Sequence, residues 1–257
     1  VSRLRGKNVN VQVTDSTYLQ TSFSVRGLPD VENMFLMVNV HELVGYRDDL
    51  KYLPILLDEK NEPPIPELIS YFKFRGDING FMSDLVADGT IYTNLGVIST
   101  NAVYRQNEDA SIEINGALNV HQLAIDQLAN DYNTLGKTSL QVKINGKFLN
   151  DGTFSAKVNS DIKYFDLNNY RIQGIDVIGT LTDKAFDGDI TISDSILNMD
   201  FTGYFEYGTD HPAHRFLLNI YNADLATLQF DTENVSRLSC DIMANVEGLD
   251  PKEITGN

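Results

Sequence analysis

The first side chains that could do chemistry are two histidines in His211-Pro212-Ala213-His214. Imidazole nitrogens are common ligands of Zn²⁺, and two of them close together could begin a metal site. Proline at position 212 favours a turn, however, and no third ligand stands nearby in the sequence. We therefore interpret both histidines as solvent-exposed turn residues and expect no metal there.

Three aspartates, Asp183, Asp187 and Asp189, have the composition of a calcium loop. The fixed ligand positions and the closing glutamate of an EF-hand are absent. Phe186 and Ile190 alternate with the aspartates, which is the pattern of a strand that carries its carboxylates on the polar face. We interpret these aspartates as solvated charges that protect the sheet from edge-to-edge pairing.

No other residue pattern indicates catalysis. Cys240 is the only cysteine, so no disulfide forms within the chain, and its place in the alternating run 238–246 predicts a small buried hydrophobe. His41 and His121 occupy equivalent positions of a repeated motif and are interpreted as structural residues at strand ends. A phosphate-binding loop, a nucleophile elbow and a zinc-protease motif are all absent. The sequence predicts neither an enzyme nor a cofactor.

The elements that must position these residues are β-strands. Residues 175–182 alternate apolar and polar, so Ile175, Val177 and Leu181 share one face of a pleated strand. The alternation resumes at 186–192 and at 197–205 after short polar turns. Three antiparallel strands with one apolar and one polar face are the simplest interpretation.

The same alternation covers most of the chain, and helical spacing is confined to short segments. Leucines and tyrosines at three- and four-residue spacings predict a short amphipathic helix over 41–57, and helical turns are predicted at 65–71 and 123–129. The charged, proline-bearing stretch 58–64 belongs to a predicted surface excursion, 44–71, within a single domain that covers residues 1–257. Two strands are predicted within 9–25, separated by a turn at Asp15-Ser16, and further strands at 35–40, 72–78, 90–92, 97–104, 112–120, 140–148, 154–164, 216–220 and 238–246.

Two motifs recur and alternate along the chain, which indicates a repeat architecture. In the first, an alternating strand runs into a polar residue and then a helical turn, at 38–43, 118–123 and 220–225. In the second, an alternating strand is followed by glycine-spaced turns, at 72–89, 140–146 and 240–256. The last copy stops where an earlier one continues, and the chain begins at Val1 without Met. We therefore expect this sequence to be a piece of a longer repeat array.

Composition limits the classes of partner. The chain carries 20 Lys and Arg against 36 Asp and Glu, a net charge of −16 at pH 7. Binding to nucleic acid or to an anionic bilayer depends on an excess of cationic side chains, so neither is expected. A hydrophobic content of 42% is sufficient for a folded protein. No apolar run reaches membrane-spanning length, and the first residues lack a signal-peptide pattern.

An ordered set of turn and strand motifs resembles one known family. The motifs are Gly27-Leu28-Pro29-Asp30-Val31-Glu32-Asn33, Phe74-Arg75-Gly76-Asp77-Ile78-Asn79-Gly80-Phe81, Gly89-Thr90-Ile91-Tyr92-Thr93-Asn94-Leu95-Gly96, Gly179-Thr180-Leu181, Phe186-Asp187-Gly188, Asp200-Phe201-Thr202-Gly203, Asn222-Ala223-Asp224-Leu225 and Val246-Glu247-Gly248-Leu249-Asp250. Taken in order over essentially the whole chain, they resemble the long periplasmic TamB and AsmA-like proteins of Gram-negative envelopes.

This resemblance implies a fold, a location and a function. It implies an elongated antiparallel β-sheet, folded along its length into a trough with an apolar interior, in a periplasmic protein anchored to the inner membrane by a segment outside this chain. The implied functions are movement of phospholipids between the two membranes and support of outer-membrane protein assembly. The domain with which TamB proteins meet their outer-membrane partner is not found here, so such contacts are expected only through regions outside this chain.

The apolar face is therefore expected to bind the acyl chains of phospholipids. From alternation alone, the same face could instead pack on itself as a closed sandwich, whereas the resemblance favours an open trough. The expected lining is Val142, Ile144, Phe148, Ile175, Val177, Leu181, Ile190, Ile192, Leu197, Met199, Phe201, Phe216, Leu218, Ile220, Leu238 and Ile242.

A second function class is a periplasmic or surface interaction module that binds protein or glycan without catalysis. It would be supported by an aromatic cluster on the polar face, for which the candidates are Tyr164, Tyr170, Tyr204, Tyr207 and Tyr221. Our preferred interpretation is an all-β protein: an elongated antiparallel, twisted and curved β-sheet, trough-like, with a few short helical turns. It would form one segment of an envelope bridge.

Overall fold

The strands of this chain form one curved, unclosed antiparallel sheet in which every strand pairs with the next strand in the sequence. The structure is a computed structural model. It describes residues 2–30, 33–52, 67–207, 209, 212–230, 236–247 and 255–256. Strand order therefore equals sequence order from β1 to β15, with no crossover. The expected all-β antiparallel fold is confirmed.

The element bounds are as follows. The strands are β1 (Ser2–Gln12), β2 (Tyr18–Leu28), β3 (Phe35–Tyr46), β4 (Tyr71–Phe81), β5 (Asp84–Thr93), β6 (Gly96–Gln106), β7 (Ile112–Ala124), β8 (Leu135–Phe148), β9 (Phe154–Leu167), β10 (Tyr170–Thr182), β11 (Ala185–Ser193), β12 (Leu197–Glu206), β13 (Ala213–Asp224), β14 (Arg237–Glu247) and β15 (Thr255–Gly256). A 3₁₀ helix covers Arg47–Tyr52, and the one α-helix among the described residues, α1, covers Ile125–Ala129.

The helix predicted over 41–57 is wrong. Residues 41–46 continue β3, and only Arg47–Tyr52 are helical, as a 3₁₀ helix. The rest of that prediction lies outside the described residues, as does the charged stretch 58–64. The helical turn predicted at 65–71 is also not helical where it is described, because Tyr71 already begins β4. The turn predicted at 123–129 is confirmed in part, since α1 occupies its last five residues.

The register shows that one face of the sheet is uncharged from edge to edge and apolar at most positions. Residues that lie directly opposite each other in an antiparallel pair share a face. One line of such pairs, which we call the central row, crosses the sheet from β1 to β14. It consists of Val9, Thr21, Val40, Gly76, Gly89, Thr100, Leu118, Val142, Ser160, Val177, Ile190, Phe201, Leu218 and Ile242.

A second line on the same face, the small-residue row, includes several glycines at which neighbouring strands lie close together. It consists of Gly6, Phe23, Val38, Ile78, Ala87, Ala102, Gly116, Ile144, Val158, Gly179, Gly188, Gly203, Phe216 and Ala244. A Cβ on Gly116 would lie 2.5 Å from the carbonyl oxygen of Asn101, and a Cβ on Gly179 would lie 2.5 Å from that of Asp187. Neighbouring strands therefore approach each other at these glycines more closely than side chains allow, and we call this line of close approach the crease.

The first repeated motif is a β-bulge followed by a helical or turn segment. Register shifts occur between Val40 and Leu43 in β3, between Val120 and Leu123 in β7, and between Ile220 and Ala223 in β13. A bulge inserts an extra residue and increases the local twist of a strand. Since the 3₁₀ helix, α1 and the turn at 225–229 come after these three bulges, every copy ends at the same long border of the sheet.

Most fully buried apolar side chains lie at this border, which we call the helical rim. Leu50 in the 3₁₀ helix, Ala124 before α1 and Leu228 after β13 are buried there, and Leu228 packs with Ile172 and Ile175. Away from the helical rim, the sheet has little buried core. The accessible surface is 16011 Å², whereas a compact protein of 28.8 kDa exposes about 11,300 Å².

Candidate functional site

The apolar face is the candidate site, and all of the expected lining residues lie on it. We define the apolar face as the central row, the small-residue row and the positions that alternate with them along each strand. The register places on it, outside the two rows, Phe148, Ile175, Leu181, Ile192, Leu197, Met199, Ile220 and Leu238. The prediction that this lining binds acyl chains stays a prediction.

These lining residues are partly open to solvent rather than buried in a core. Only Ile175 is buried, with 7% of its surface exposed. Leu238 and Ile242 are exposed, at 37% and 42%, and the others are intermediate. A closed sandwich would bury the same residues between two layers about 10 Å apart. Within the described residues no second layer covers this face, so the fold agrees with the trough.

The apolar face carries no formal charge. None of the strand positions that the register assigns to it, over the described parts of β1 to β14, is Asp, Glu, Lys or Arg. The chain has 20 Lys and Arg and 36 Asp and Glu, so charge is excluded from this face and confined to the other face and the loops.

The sequence analysis identified only the C-terminal half of this surface. The central row continues through Val40 and Leu118, and the positions beside it include Phe74, Ile91 and Ile98. The signal was present, because 72–78, 97–104 and 112–120 alternate in the same way. The sequence alone does not give the register between strands. The register is what places the apolar residues of all these strands on one face.

Aromatic contacts strengthen the face where it is creased. The rings of Phe201 and Phe216 lie 5.4 Å apart between β12 and β13, and those of Phe148 and Phe154 stack 5.6 Å apart between β8 and β9. A Cβ on Gly89 would lie 2.5 Å from Cε2 of Phe74, so that ring covers a glycine. Aromatic rings beside glycines supply the apolar contacts that the missing side chains do not.

The polar face carries ion pairs, and the tightest network surrounds Glu42. Lys73 Nζ and Arg75 Nη2 each lie 2.5 Å from Glu42 Oε1, and the hydroxyl of Tyr18 donates to Glu42 Oε2 at 2.6 Å. The hydrogen bonds from Lys73, Tyr18 and Arg75, in that order, lower the pKa of Glu42 to about 2. The hydrogen bond between Tyr18 and Glu42 also raises the pKa of the Tyr18 hydroxyl. This network ties β2, β3 and β4 together opposite the apolar face.

The candidate tyrosines do not form a cluster. Tyr164 lies beneath the guanidinium of Arg171, 3.8 Å from the ring centroid, whereas Tyr204 lies three strands away in β12. The others make separate hydrogen bonds: Tyr170 to Asp194, Tyr207 to the carbonyl oxygen of Thr182 and Tyr221 to Asp200. The structure thus shows no joint aromatic platform for a partner among these residues.

His214 is not the solvent-exposed turn residue that the sequence predicted. It lies in β13 opposite Phe205 and Val246, and only 3% of its surface is exposed. Its ring stacks on Phe205 with centroids 4.3 Å apart, a contact that strand pairing supplies. Neither ring nitrogen has a hydrogen-bond partner in the described part of the chain. His211, the other histidine of the predicted turn, lies outside the described residues.

The remaining candidates lie on different surfaces. Asp187 and Asp189 are on the polar face, where Asp189 accepts a hydrogen bond from Thr202 at 2.6 Å. Cys240 is half-buried on the apolar face. His41 is in the bulge of β3, where its Nε2 lies 3.0 Å from the hydroxyl of Ser22. Among the described residues no group of three or more His, Cys, Asp and Glu is arranged to hold a metal ion.

Comparison with protein-family models, with curated proteins and with solved structures finds no match to this chain. In the described ranges, no helix has the length and apolar character needed to cross a membrane.

Proposed function

We propose that the apolar face binds the acyl chains of phospholipids and that the chain is a segment of a TamB or AsmA-like envelope protein. In this proposal, lipids move along the trough between the inner and outer membranes, with their headgroups in water. The chain contributes a surface rather than a catalytic site. Which lipid is carried is left open by a surface of this kind, because it recognises methylene groups rather than a headgroup.

The observation that carries this proposal is the apolar face, which is uncharged over the described strands and half-exposed. A monomeric soluble protein rarely exposes a contiguous apolar patch of more than a few hundred Å², and larger patches mark interaction sites. Here the central row alone crosses fourteen strands, from Val9 to Ile242. At about 4.8 Å between strands, this row extends over roughly 60 Å.

The dimensions and energies suit acyl chains. The hydrocarbon core of a bilayer is about 30 Å thick, so one acyl chain reaches about 15 Å and would cover three or four strands. Each methylene transferred from water to an apolar surface contributes about 0.8 kcal/mol.

The location and partners in this proposal come from the resemblance of the sequence motifs. They are the periplasm of a Gram-negative bacterium, an inner-membrane anchor outside this chain, and outer-membrane assembly machinery reached through regions outside this chain. The fold supports the proposal to the extent that a single long antiparallel sheet with strands in sequence order can extend by adding strands at its edges.

A binding titration tests this proposal directly. An environment-sensitive fluorescent fatty acid is titrated with the purified chain, and the bound probe is then competed with a short-chain phospholipid below its micelle concentration. We expect saturable binding that the phospholipid displaces. A probe that the chain ignores would contradict acyl-chain binding and favour the interaction module that binds protein or glycan.

A further inference from the structure

A cavity of about 350 Å³ with a polar lining lies at the helical rim. On one side it is lined by residues 132–136, which follow α1 and begin β8, and on the other by the end of β9 and the start of β10. The two sides are joined, because the backbone N–H of Asn168 donates to the carbonyl oxygen of Thr134 at 2.7 Å. The volume lies in the range of small-molecule sites, about 300–1,000 Å³.

The cavity is separate from the apolar face. Arg171 in β10 and Asp166 in β9 line it and lie directly opposite each other. The next pair along these strands, Ile172 and Phe165, packs in the apolar cluster around Leu228. Since successive residues of a strand point to opposite faces, Arg171 and Asp166 are on the polar face.

Arg171 and Asp166 form a fixed pair of hydrogen-bond donor and acceptor. Nε and Nη2 of Arg171 donate to Oδ1 and Oδ2 of Asp166 at 2.7 and 2.9 Å, and the guanidinium lies over the ring of Tyr164, 3.8 Å from its centroid. The hydrogen bonds from Arg171 lower the pKa of Asp166, so both groups are ionised at neutral pH. Nη1 and part of the carboxylate lone pairs are not used by this pairing.

A bulge at Gly136 makes room beside this ion pair. The register of β8 against β9 shifts between Leu135 and Thr138, so one extra residue stands in β8. A Cβ on Gly136 would lie only 2.7 Å from Cβ of Asp166. A side chain at this position would therefore press on the carboxylate and occupy part of the cavity.

The outer lining consists of an aromatic ring and two amides. Tyr132, with 63% of its surface exposed, and the exposed residues Asn133 and Asn169 line the same cavity. Oδ1 of Asp131 accepts hydrogen bonds from the backbone N–H groups of Asn133 and Thr134 at 3.3 and 3.0 Å, which fixes the turn. Amide side chains donate and accept hydrogen bonds, and a tyrosine ring adds an apolar surface.

This lining favours a neutral ligand with many hydroxyl groups. An anion would meet the carboxylate of Asp166, and a cation would meet the guanidinium of Arg171. A hydroxyl group both donates and accepts, so it matches a lining in which donors and acceptors alternate. A pyranose ring also has an apolar C–H surface that can pack on an aromatic ring.

We propose that this cavity binds a neutral pyranose sugar, with its hydroxyl groups on Arg171 and Asp166 and its ring against Tyr132. The sugar is either free or the terminal unit of a glycan. This inference does not depend on what the apolar face binds, because the cavity is on the other face of the sheet.

A ¹⁵N–¹H NMR titration tests the proposal. The probes are glucose, galactose, mannose and N-acetylglucosamine, each with its methyl glycoside, and the reporters are the Nε–H of Arg171 and the backbone N–H of Gly136. We expect at least one of these sugars to shift both signals saturably. A methyl glycoside that binds as well as its free sugar identifies the end of a glycan as the ligand, and a free sugar that binds alone identifies the monosaccharide.

Two variants locate the binding, and a third is their control. Arg171→Lys keeps the charge but loses the planar fork, and Tyr132→Ala removes the exposed ring. We expect each to weaken sugar binding by about tenfold. Arg105→Lys is the matched control, because Arg105 pairs with Asp84 at 3.2 Å outside the cavity and its side chain is 52% exposed, as is that of Arg171. It should change binding by less than about twofold.

Four results would overturn the proposal. One is a panel of sugars that shifts neither reporter signal, and another is sugar binding that Arg171→Lys and Tyr132→Ala leave unchanged. The third is an equal loss in Arg105→Lys, which would show that the effect of Arg171→Lys is not local. The fourth is tighter binding of glucuronate or inorganic phosphate than of any neutral sugar, which would show an anion site.

Discussion

Gly179 and Gly188 lie directly opposite each other on the apolar face, and a Cβ on Gly179 would lie 2.5 Å from the carbonyl oxygen of Asp187. Since backbone must shift to admit a methyl group there, Gly179→Ala is expected to lower the free energy of unfolding by about 1–3 kcal/mol. Urea denaturation measures the change. Gly146→Ala is the matched control, because its Cβ would meet only side-chain atoms, at 3.2 Å, and we expect a smaller loss.

Equal losses for Gly179→Ala and Gly146→Ala would contradict the crease. In that case the small-residue row would not hold neighbouring strands closer together than ordinary pairing does.

Val177 and Ile178 are neighbours in β10 that point to opposite faces, which gives a matched pair of variants. Val177→Asp places a carboxylate in the central row, and desolvating it should weaken acyl-probe binding by about tenfold or more. Ile178→Asp changes the polar face, where 54% of Ile178 is exposed, and should leave binding nearly unchanged. Probe titration measures both effects, and Phe201→Asp is expected to behave like Val177→Asp.

Circular dichroism and urea denaturation of the same variants provide the folding control. Because Val177 is only half-buried, we expect Val177→Asp to remain folded. If it unfolds while Ile178→Asp does not, the apolar face is a closed core and the trough is wrong.

The ion-pair network at Glu42 predicts a pH dependence of stability. The pKa of Glu42 is about 2 in the folded chain, well below its ordinary value of 4.5. A carboxyl whose pKa is lowered by folding stabilises the fold above its unfolded pKa, and this contribution is lost as the pH falls from about 4.5 to about 2. Glu42→Gln is therefore expected to reduce the change in the urea midpoint of unfolding between these pH values.

Glu113→Gln is the control for Glu42→Gln, because Glu113 accepts a hydrogen bond from the neutral side-chain amide of Asn107, at 3.2 Å. We expect this variant to keep the pH dependence of the unaltered chain. An unchanged profile for Glu42→Gln would mean that Lys73 and Arg75 do not bind the carboxylate in solution.

Ser139 supports the bulge of β7, since its hydroxyl accepts a hydrogen bond from the backbone N–H of Gln122 at 2.8 Å. Gln122 has a positive φ of 53°, and Ser139 is buried. Ser139→Ala leaves that N–H without its acceptor, which should cost about 1–3 kcal/mol in the free energy of unfolding. Ser155→Ala, at an exposed strand position, should change stability by less than about 0.5 kcal/mol. Equal effects would show that the bulge does not depend on Ser139.

Local alternation was enough to predict most of the sheet. The period of two in 175–182, 186–192 and 197–205 depends only on neighbouring residues, and it correctly identified β10, β11 and β12. The turns between these strands are short and polar, so antiparallel pairing of consecutive strands followed. The expected lining residues share one face for the same reason.

The bulges explain why the helix over 41–57 was predicted wrongly. The bulge in β3 inserts a residue between Val40 and Leu43, so apolar side chains on one face are three apart instead of two. Leu50, further along, is buried by the 3₁₀ helix. Together these features imitate the spacing of one continuous helix, although half of the described segment is strand.

Long-range contacts account for the other differences. His214 is buried because Phe205, on the preceding strand, stacks on it, and the sequence around His214 contains no sign of that partner. Alternation also could not decide between an open and a closed apolar face, because both bury the same residues to different extents. Only the exposure of residues such as Ile242 separates the two.

The measurement that tests the central claim most directly is native mass spectrometry of the purified chain, combined with extraction and identification of any lipid. The account predicts phospholipid that copurifies, resists dilution and is depleted in Val177→Asp but not in Ile178→Asp. A lipid-free chain that also fails to take up added phospholipid would contradict the open trough and acyl-chain binding along the apolar face.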